Sequence, residues 1–188
     1  MRKLKLQVQL TLDGFMCGLY GEMDWMTLPW DDQLKSYVQK ITDSVDCIVL
    51  GRKLAEKFIP YWASSPKGED ALGIKKMNET QKVVFTKTLV ASEWANTILA
   101  TGDLEEEITR LKNQTGRDLI AYGGVSFVSA LVRHSLIDEF NLFINPTLIG
   151  RGQSICLELE ANQTLWIKKA TSFPCGIVAL RYVLAKDF

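Results

Sequence analysis

A chain of 188 residues, 47% of them hydrophobic, is long enough to bury a sizeable core and fits one ordinary domain. Its 22 Lys and Arg balance 22 Asp and Glu, which excludes both the basic field that holds nucleic acid and an acidic tail. Four scattered cysteines with no C-x-x-C pair, a single histidine and no apolar run of bilayer length argue against a zinc centre, a disulfide framework and a membrane span, and so for a cytoplasmic protein.

Lys5 to Leu12 alternates apolar Leu6, Val8, Leu10 and Leu12 with polar residues, the pattern of a strand with one buried face. It runs into Asp13-Gly14, and Gly14 to Trp30 follows as a connection rich in glycine, methionine and aromatic side chains. So long an apolar connection is either a functional lid or a loop packed on the core. Leu34, Tyr37, Val38, Ile41 and Val45 recur at the spacing of one helical face, with Asp31 or Asp32 placed to cap the first turn. Cys47 to Leu50 is a continuous apolar run, as in a central strand covered on both faces, and enters Gly51-Arg52-Lys53 and a short helix. Pro60 to Glu79, with Pro66, Gly68 and Gly73, reads as mostly loop with one weak helix near Leu72 to Asn78.

Val83 to Phe85 is the next buried strand, ending at Thr86-Lys87-Thr88, and Thr97 to Ala100 is another. Asp103-Leu104-Glu105-Glu106 has the spacing of a capping box and starts a helix that ends near Lys112. Leu119 to Tyr122 then passes through Gly123-Gly124 into a helix with Val125, Val128, Leu131 and Val132 on one face. His134, beside Arg133 in the last turn, suits the helix dipole there. Phe140, Leu142 and Ile144 alternate with polar residues as a half-exposed strand stopped by Pro146, and Thr164 to Thr171 with Ile177 to Ala185 closes the chain as an antiparallel hairpin.

Strands alternating with helices argue for a three-layer α/β/α sandwich on a mostly parallel central sheet with antiparallel C-terminal strands. Ligands of such sheets collect at the carboxyl ends of the strands, where Asp13-Gly14, Gly51-Arg52, Thr86-Lys87-Thr88 and Gly123-Gly124 all fall. The glycine pair either serves the strand-to-helix geometry alone or admits a phosphate against the unpaired N–H groups of the helix's first turn. Arg52 and Lys87 are the cations placed to neutralise a third phosphate, which favours NADPH over NADH. The G-x-G-x-x-G fingerprint of the ordinary dinucleotide fold is missing.

LTLDGFMCG, DCIVLGRKLAEKF, VVFTKTL, IAYGGVSFVSALV and SLIDEFNLFINPTLIGRG follow one another over almost the whole chain. In that order they resemble the dihydrofolate reductase superfamily, and in particular its branch related to the reductase domain of bacterial riboflavin biosynthesis. The resemblance implies a dihydrofolate reductase-like fold with Gly51, Arg52, Lys53 and Leu54 beside the phosphates of NADPH. It assigns Thr86, Lys87 and Thr88 to the 2′-phosphate side and Gly123, Gly124, Val125 and Ser126 to the pyrophosphate turn. Leu12, Asp13 and Gly14 match the strand end where nicotinamide and substrate meet.

The LPWDD segment resembles the L-P-x-D stretch whose carboxylate holds a pterin ring, which makes Asp31 a catalytic candidate beside Asp13; the competing reading of Asp31 is a helix cap. Tyr20 is a further candidate proton source, and Phe15, Tyr20, Trp25 and Trp30 are candidate apolar walls. Two positions depart from the pattern: Tyr122 stands where riboflavin-pathway reductases carry the Glu of a Glu-Gly-Gly turn, and Arg52 is followed by Lys53 in place of threonine. The expected function is an NADPH-dependent reductase of a small planar heterocycle or related carbonyl or imine compound. The competing reading is a non-catalytic nucleotide-binding or assembly protein on the same fold. The apolar face of Phe140 to Ile144 and the final hairpin add the expectation of a homodimer.

Overall fold

The computed structural model describes residues 1–157 and 159–185. Over them the chain runs β1 (Leu4–Thr11), α1 (Asp32–Asp43), β2 (Val45–Gly51), α2 (Arg52–Ala63), α3 (Ala71–Glu79), β3 (Gln81–Phe85) and β4 (Thr97–Ala100). It continues α4 (Leu104–Asn113), β5 (Asp118–Tyr122), α5 (Val125–Arg133), β6 (Glu139–Asn145), β7 (Leu165–Ser172) and β8 (Val178–Leu184). The strands form one sheet in the order β4-β3-β2-β5-β1-β6-β8-β7. All neighbours from β4 to β6 pair in parallel, and β8 is antiparallel to both β6 and β7.

Two apolar layers sandwich this sheet, as the alternation of strands and helices requires. On one face Leu4, Leu6, Val8 and Leu10 of β1 pack with Ile108 and Leu111 of α4 and with Val128, Leu131 and Val132 of α5. On the other, Ile48, Leu50, Val84 and Ile120 meet Ala55 and Ile59 of α2 and Met77 of α3. Farther along that second face, Leu34 of α1 sits against Phe143 of β6 and Ala179 of β8. The sheet thus exposes a face of its parallel strands on neither side, which is why β2 reads as an unbroken apolar run.

Three expectations change. The alternation in β1 suggests a strand with a solvated face, but β1 is central, between β5 and β6, so Lys5, Gln7, Gln9 and Thr11 turn their polar side chains into the α1–α2 layer. The stretch from Pro60 is not mostly loop: α2 continues through Pro60 to Ala63, held by Ile59 in the core and by Phe58 and Trp62 packed on it, and α3 follows. A proline there forfeits one backbone bond, which this apolar face outweighs. β6 is interior to the sheet, with Phe140 and Phe143 buried, and the exposed apolar side chains of the C-terminal strands are Trp166 and Ile167 on edge strand β7.

Candidate functional site

The helix starts differ in a way that singles out one place. α1, α3 and α4 open on Asp31, Asp70 and Asp103, whose carboxylates accept from Leu34 N (2.8 Å), Gly73 N (2.9 Å) and Glu105 N (2.9 Å). α2 and α5 open on Gly51 and Gly124, which supply no side-chain cap, so their first-turn N–H groups stay available. Both uncapped ends face a single cleft of about 410 Å³, within the range of small-molecule sites.

That cleft gathers nine of the residues assigned to the cofactor: Gly51, Arg52, Lys53 and Leu54 from the β2–α2 turn, Thr86, Lys87 and Thr88 from the exit of β3, and Gly124 and Ser126 from the β5–α5 turn. Its charge pattern is equally specific. Arg52 and Lys53 occupy the first turn of α2, with no acid there, although the positive end of the helix dipole repels cations. An anion held between them removes that conflict. By contrast α4, already capped, carries Glu105, Glu106 and Glu107 in its first turn.

Local bonding fixes the rim. The Lys87 ammonium donates to the carbonyls of Thr101 (3.0 Å) and Gly102 (2.8 Å), which ties the exit of β3 to that of β4 and leaves one of its three N–H groups free. The Thr86 hydroxyl accepts from Thr88 N (3.1 Å) and Leu89 N (3.0 Å) and so shapes the turn. Arg52 pairs with Glu56 one turn on, at 2.6 Å. Phe85 and Phe127, 5.3 Å apart, make the apolar wall. Gly51 makes room for that wall, since a Cβ there would stand 2.8 Å from Cβ of Phe127.

The remaining assigned residues lie elsewhere. Leu12 is exposed and its N–H bonds the carbonyl of Thr147, while Gly14 at φ 85° reverses the chain after β1. Gly123 backs onto Met16, whose Cε occupies the space where a Cβ would be, and Val125 is buried in the α5 core face. Met16 belongs to the connection after β1, which is rooted by paired bonds between its backbone and Gln153.

Both candidate acids accept hydrogen bonds from the backbone. Asp13 Oδ2 accepts from Gly150 N (2.7 Å) and Ile149 N (3.1 Å); the Thr11 hydroxyl, then these N–H groups, hold its carboxyl below the usual carboxylate range. Asp31 uses Oδ1 on Leu34 N and Oδ2 on Cys175 N (2.8 Å), and the Leu34 and then the Cys175 bond hold it low as well. Both stay ionised near neutral pH, and Asp31 caps α1, one of its two readings. Tyr20, 91% exposed, walls nothing, and half-buried Trp30 stacks on Phe143 at the margin of the core under α1. Trp25 is buried, and Phe15 packs beside Gly152. Tyr122 stacks on Phe58 at 5.4 Å, and burial pushes its hydroxyl well above the ordinary tyrosine range.

Phe85, Phe127 and Leu104 line the cleft without having been singled out from sequence. Their signal was positional: the last residue of a strand and the first turns of two helices. Among the described residues no cluster of three or more His, Cys, Asp or Glu is disposed to hold a metal ion, and no helix is long and apolar enough to cross a membrane.

Comparison with known proteins places the fold. The uncharacterized protein YyaP of Bacillus subtilis is 30% identical over 186 residues, covering 96% of this chain and 94% of that one. A Shewanella sp. PV-4 protein assigned to riboflavin biosynthesis superposes with a TM-score of 0.77 at 19% identity, over 99% of this chain and 100% of the other. The Thermotoga maritima diaminohydroxyphosphoribosylaminopyrimidine deaminase/5-amino-6-(5-phosphoribosylamino)uracil reductase superposes at 0.71 with 16% identity, over 98% of this chain and 57% of that one. These likenesses carry the fold. Residues 2–179, from the first strand into the last, match the model of the RibD C-terminal domain, and the chain therefore belongs to that dihydrofolate reductase-like reductase-domain family.

Proposed function

We propose that the chain is an NADPH-dependent reductase that moves hydride to a small planar heterocycle or a related carbonyl or imine compound. The observation that carries this reading is the convergence of two glycine-started helix ends, one loaded with cations, on one cleft with an aromatic wall. These residues fit a dinucleotide. The free N–H groups of α2 and α5 hold its phosphates, the third N–H of Lys87 holds a 2′-phosphate, and Phe85 with Phe127 excludes water from one side. When bound, the dinucleotide supplies the hydride. With Asp13 and Asp31 held as anions, the proton that completes the reduction comes from solvent rather than from either carboxylate.

Tryptophan fluorescence is expected to report tighter binding of NADPH than of NADH, with Lys87→Ala narrowing the gap about tenfold through loss of one charge-assisted bond. Equal affinities in the parent protein would remove Lys87 from this role. The non-catalytic alternative keeps nucleotide binding but never consumes reduced nicotinamide, whichever pterin or pyrimidine is offered. A homodimer joined through the β7–β8 hairpin belongs to the same proposal, since Trp166 and Ile167 stand exposed on an edge strand. Light scattering is expected to give twice the chain mass, and a monomer at micromolar concentration would refute it.

A further inference from the structure

A second cavity of about 410 Å³ lies between α1 and the C-terminal hairpin, lined by Asp32, Gln33, Ser36, Tyr37 and Lys40 of α1 and by Phe173 just past β7. It shares no residue with the cofactor cleft. Two of its walls are aromatic, with Tyr37 and Phe173 edge to face at 5.4 Å. Lys169 of β7 stands over the same tyrosine, its Nζ 5.9 Å from the centre of the ring.

The sheet brings further positive charge to this place. Register sets Lys169 opposite Arg181 and Thr171 opposite Ala179, and register partners share a face. Ala179 packs in the cluster under α1, so Arg181 and Thr171 lie on the α1 face. There Arg181 Nε and Thr171 Oγ1 are buried, and neither has a hydrogen-bond partner among the described residues. No carboxylate of those residues pairs with Arg181 either; Glu139 on β6 has its Oε1 on Asn141 Nδ2 at 3.2 Å. Burial raises the Tyr37 hydroxyl above the ordinary tyrosine range, Arg181 pulls against that rise and Glu139 adds to it, so the guanidinium acts within electrostatic reach of the cavity wall. The acid that lines the cavity, Asp32, is roughly 12 Å along α1 from Lys40 by helical rise, which leaves the other end cationic.

We infer that this cavity binds a small aromatic carboxylate, its ring against Tyr37 and Phe173 and its carboxylate on Arg181, Lys169 and Lys40. A half-buried guanidinium without a counter-ion is costly, and native interiors seldom leave buried donors unmet. A carboxylate meets both needs, because it accepts from Arg181 Nε and from the Thr171 hydroxyl at once. Three cations repel an amine, and a neutral ring leaves Arg181 as it was. The inference is independent of the reductase reading, since the two sites have no side chain in common.

Calorimetry on the full chain tests this with 2-naphthoate, against 2-naphthalenemethanol, which keeps the ring, and acetate, which keeps the charge. The naphthoate is expected to bind at least tenfold more tightly than either, and Arg181→Leu to weaken it about tenfold. That variant should melt at an equal or higher temperature, because it removes a charge that has no partner. Lys169→Ala, at an exposed position, should weaken the naphthoate about threefold, and Lys87→Ala in the cofactor cleft should leave it unchanged. No naphthoate binding, an affinity matched by the alcohol or by acetate, or an affinity that Arg181→Leu does not alter would overturn the inference. Loss of binding in Lys87→Ala would assign the naphthoate to the cofactor cleft and overturn it too. If Arg181→Leu melts lower, Lys169→Ala decides: weakened binding upholds the site, and unaltered binding overturns it.

Discussion

Gly124→Ala is expected to cost at least tenfold in NADPH affinity while the protein still folds. Gly124 sits at φ 99° and ψ 102°, a conformation that strains an L-residue by roughly 1–3 kcal/mol. No atom crowds the site, since the nearest to an added Cβ is Leu54 Cβ at 3.8 Å. The strain is therefore relieved by the backbone, which swings back toward negative φ and rotates the first N–H groups of α5 away from the cleft. Those donors are the ones that no side chain caps. Fluorescence titration of the variant checks this directly, and an affinity equal to that of the parent would mean that the α5 terminus does not hold the phosphates.

Phe143→Ala has the largest expected effect on stability. Phe143 is fully buried and lies under α1, with Trp30 stacked at 6.4 Å and Tyr37 edge-on at 6.1 Å. Truncation of such a ring removes transfer free energy and leaves a cavity that a sheet and a helix cannot close, about 3–5 kcal/mol in all. Against a total stability of about 5–15 kcal/mol for a typical domain, this is a large share. The midpoint of urea unfolding should fall accordingly with an unchanged slope. A shift below about 1 kcal/mol would show that α1 is held by its caps rather than by this cluster.

Much of the fold was legible because its signals are local. The continuous run in β2, the glycine pair after Tyr122 and the acidic start of α4 each dictate structure within a few residues, and each element stands where the sequence puts it. α2 was cut short because a proline weighs heavily in a local reading, whereas the packing of Ile59, Phe58 and Trp62 on the sheet is a tertiary fact. The cleft's cationic and glycine residues were legible for the same reason as the turns that carry them. Its aromatic wall was not, because Phe85 and Phe127 meet only once β3 and α5 are placed side by side. The roles of Asp13 and Asp31 also depend on partners far along the chain, Gly150 and Cys175, which no spacing rule connects to them. The polar face of β1 is not legible without strand order: alternation describes a half-solvated strand until the strand proves to be central.

Asp31 joins two parts of the architecture that lie far apart in the chain. One oxygen pins the beginning of α1 and the other pins the tip of the C-terminal hairpin, each through a bond of 2.8 Å. The helix over β6 and β8 and the outermost strands are thereby yoked at a single carboxylate. Any contact that tilts the hairpin must either carry the leading turn of α1 along with it or rupture that joint, so events at the periphery of the sheet reach the helix over β6 and β8 through one carboxylate.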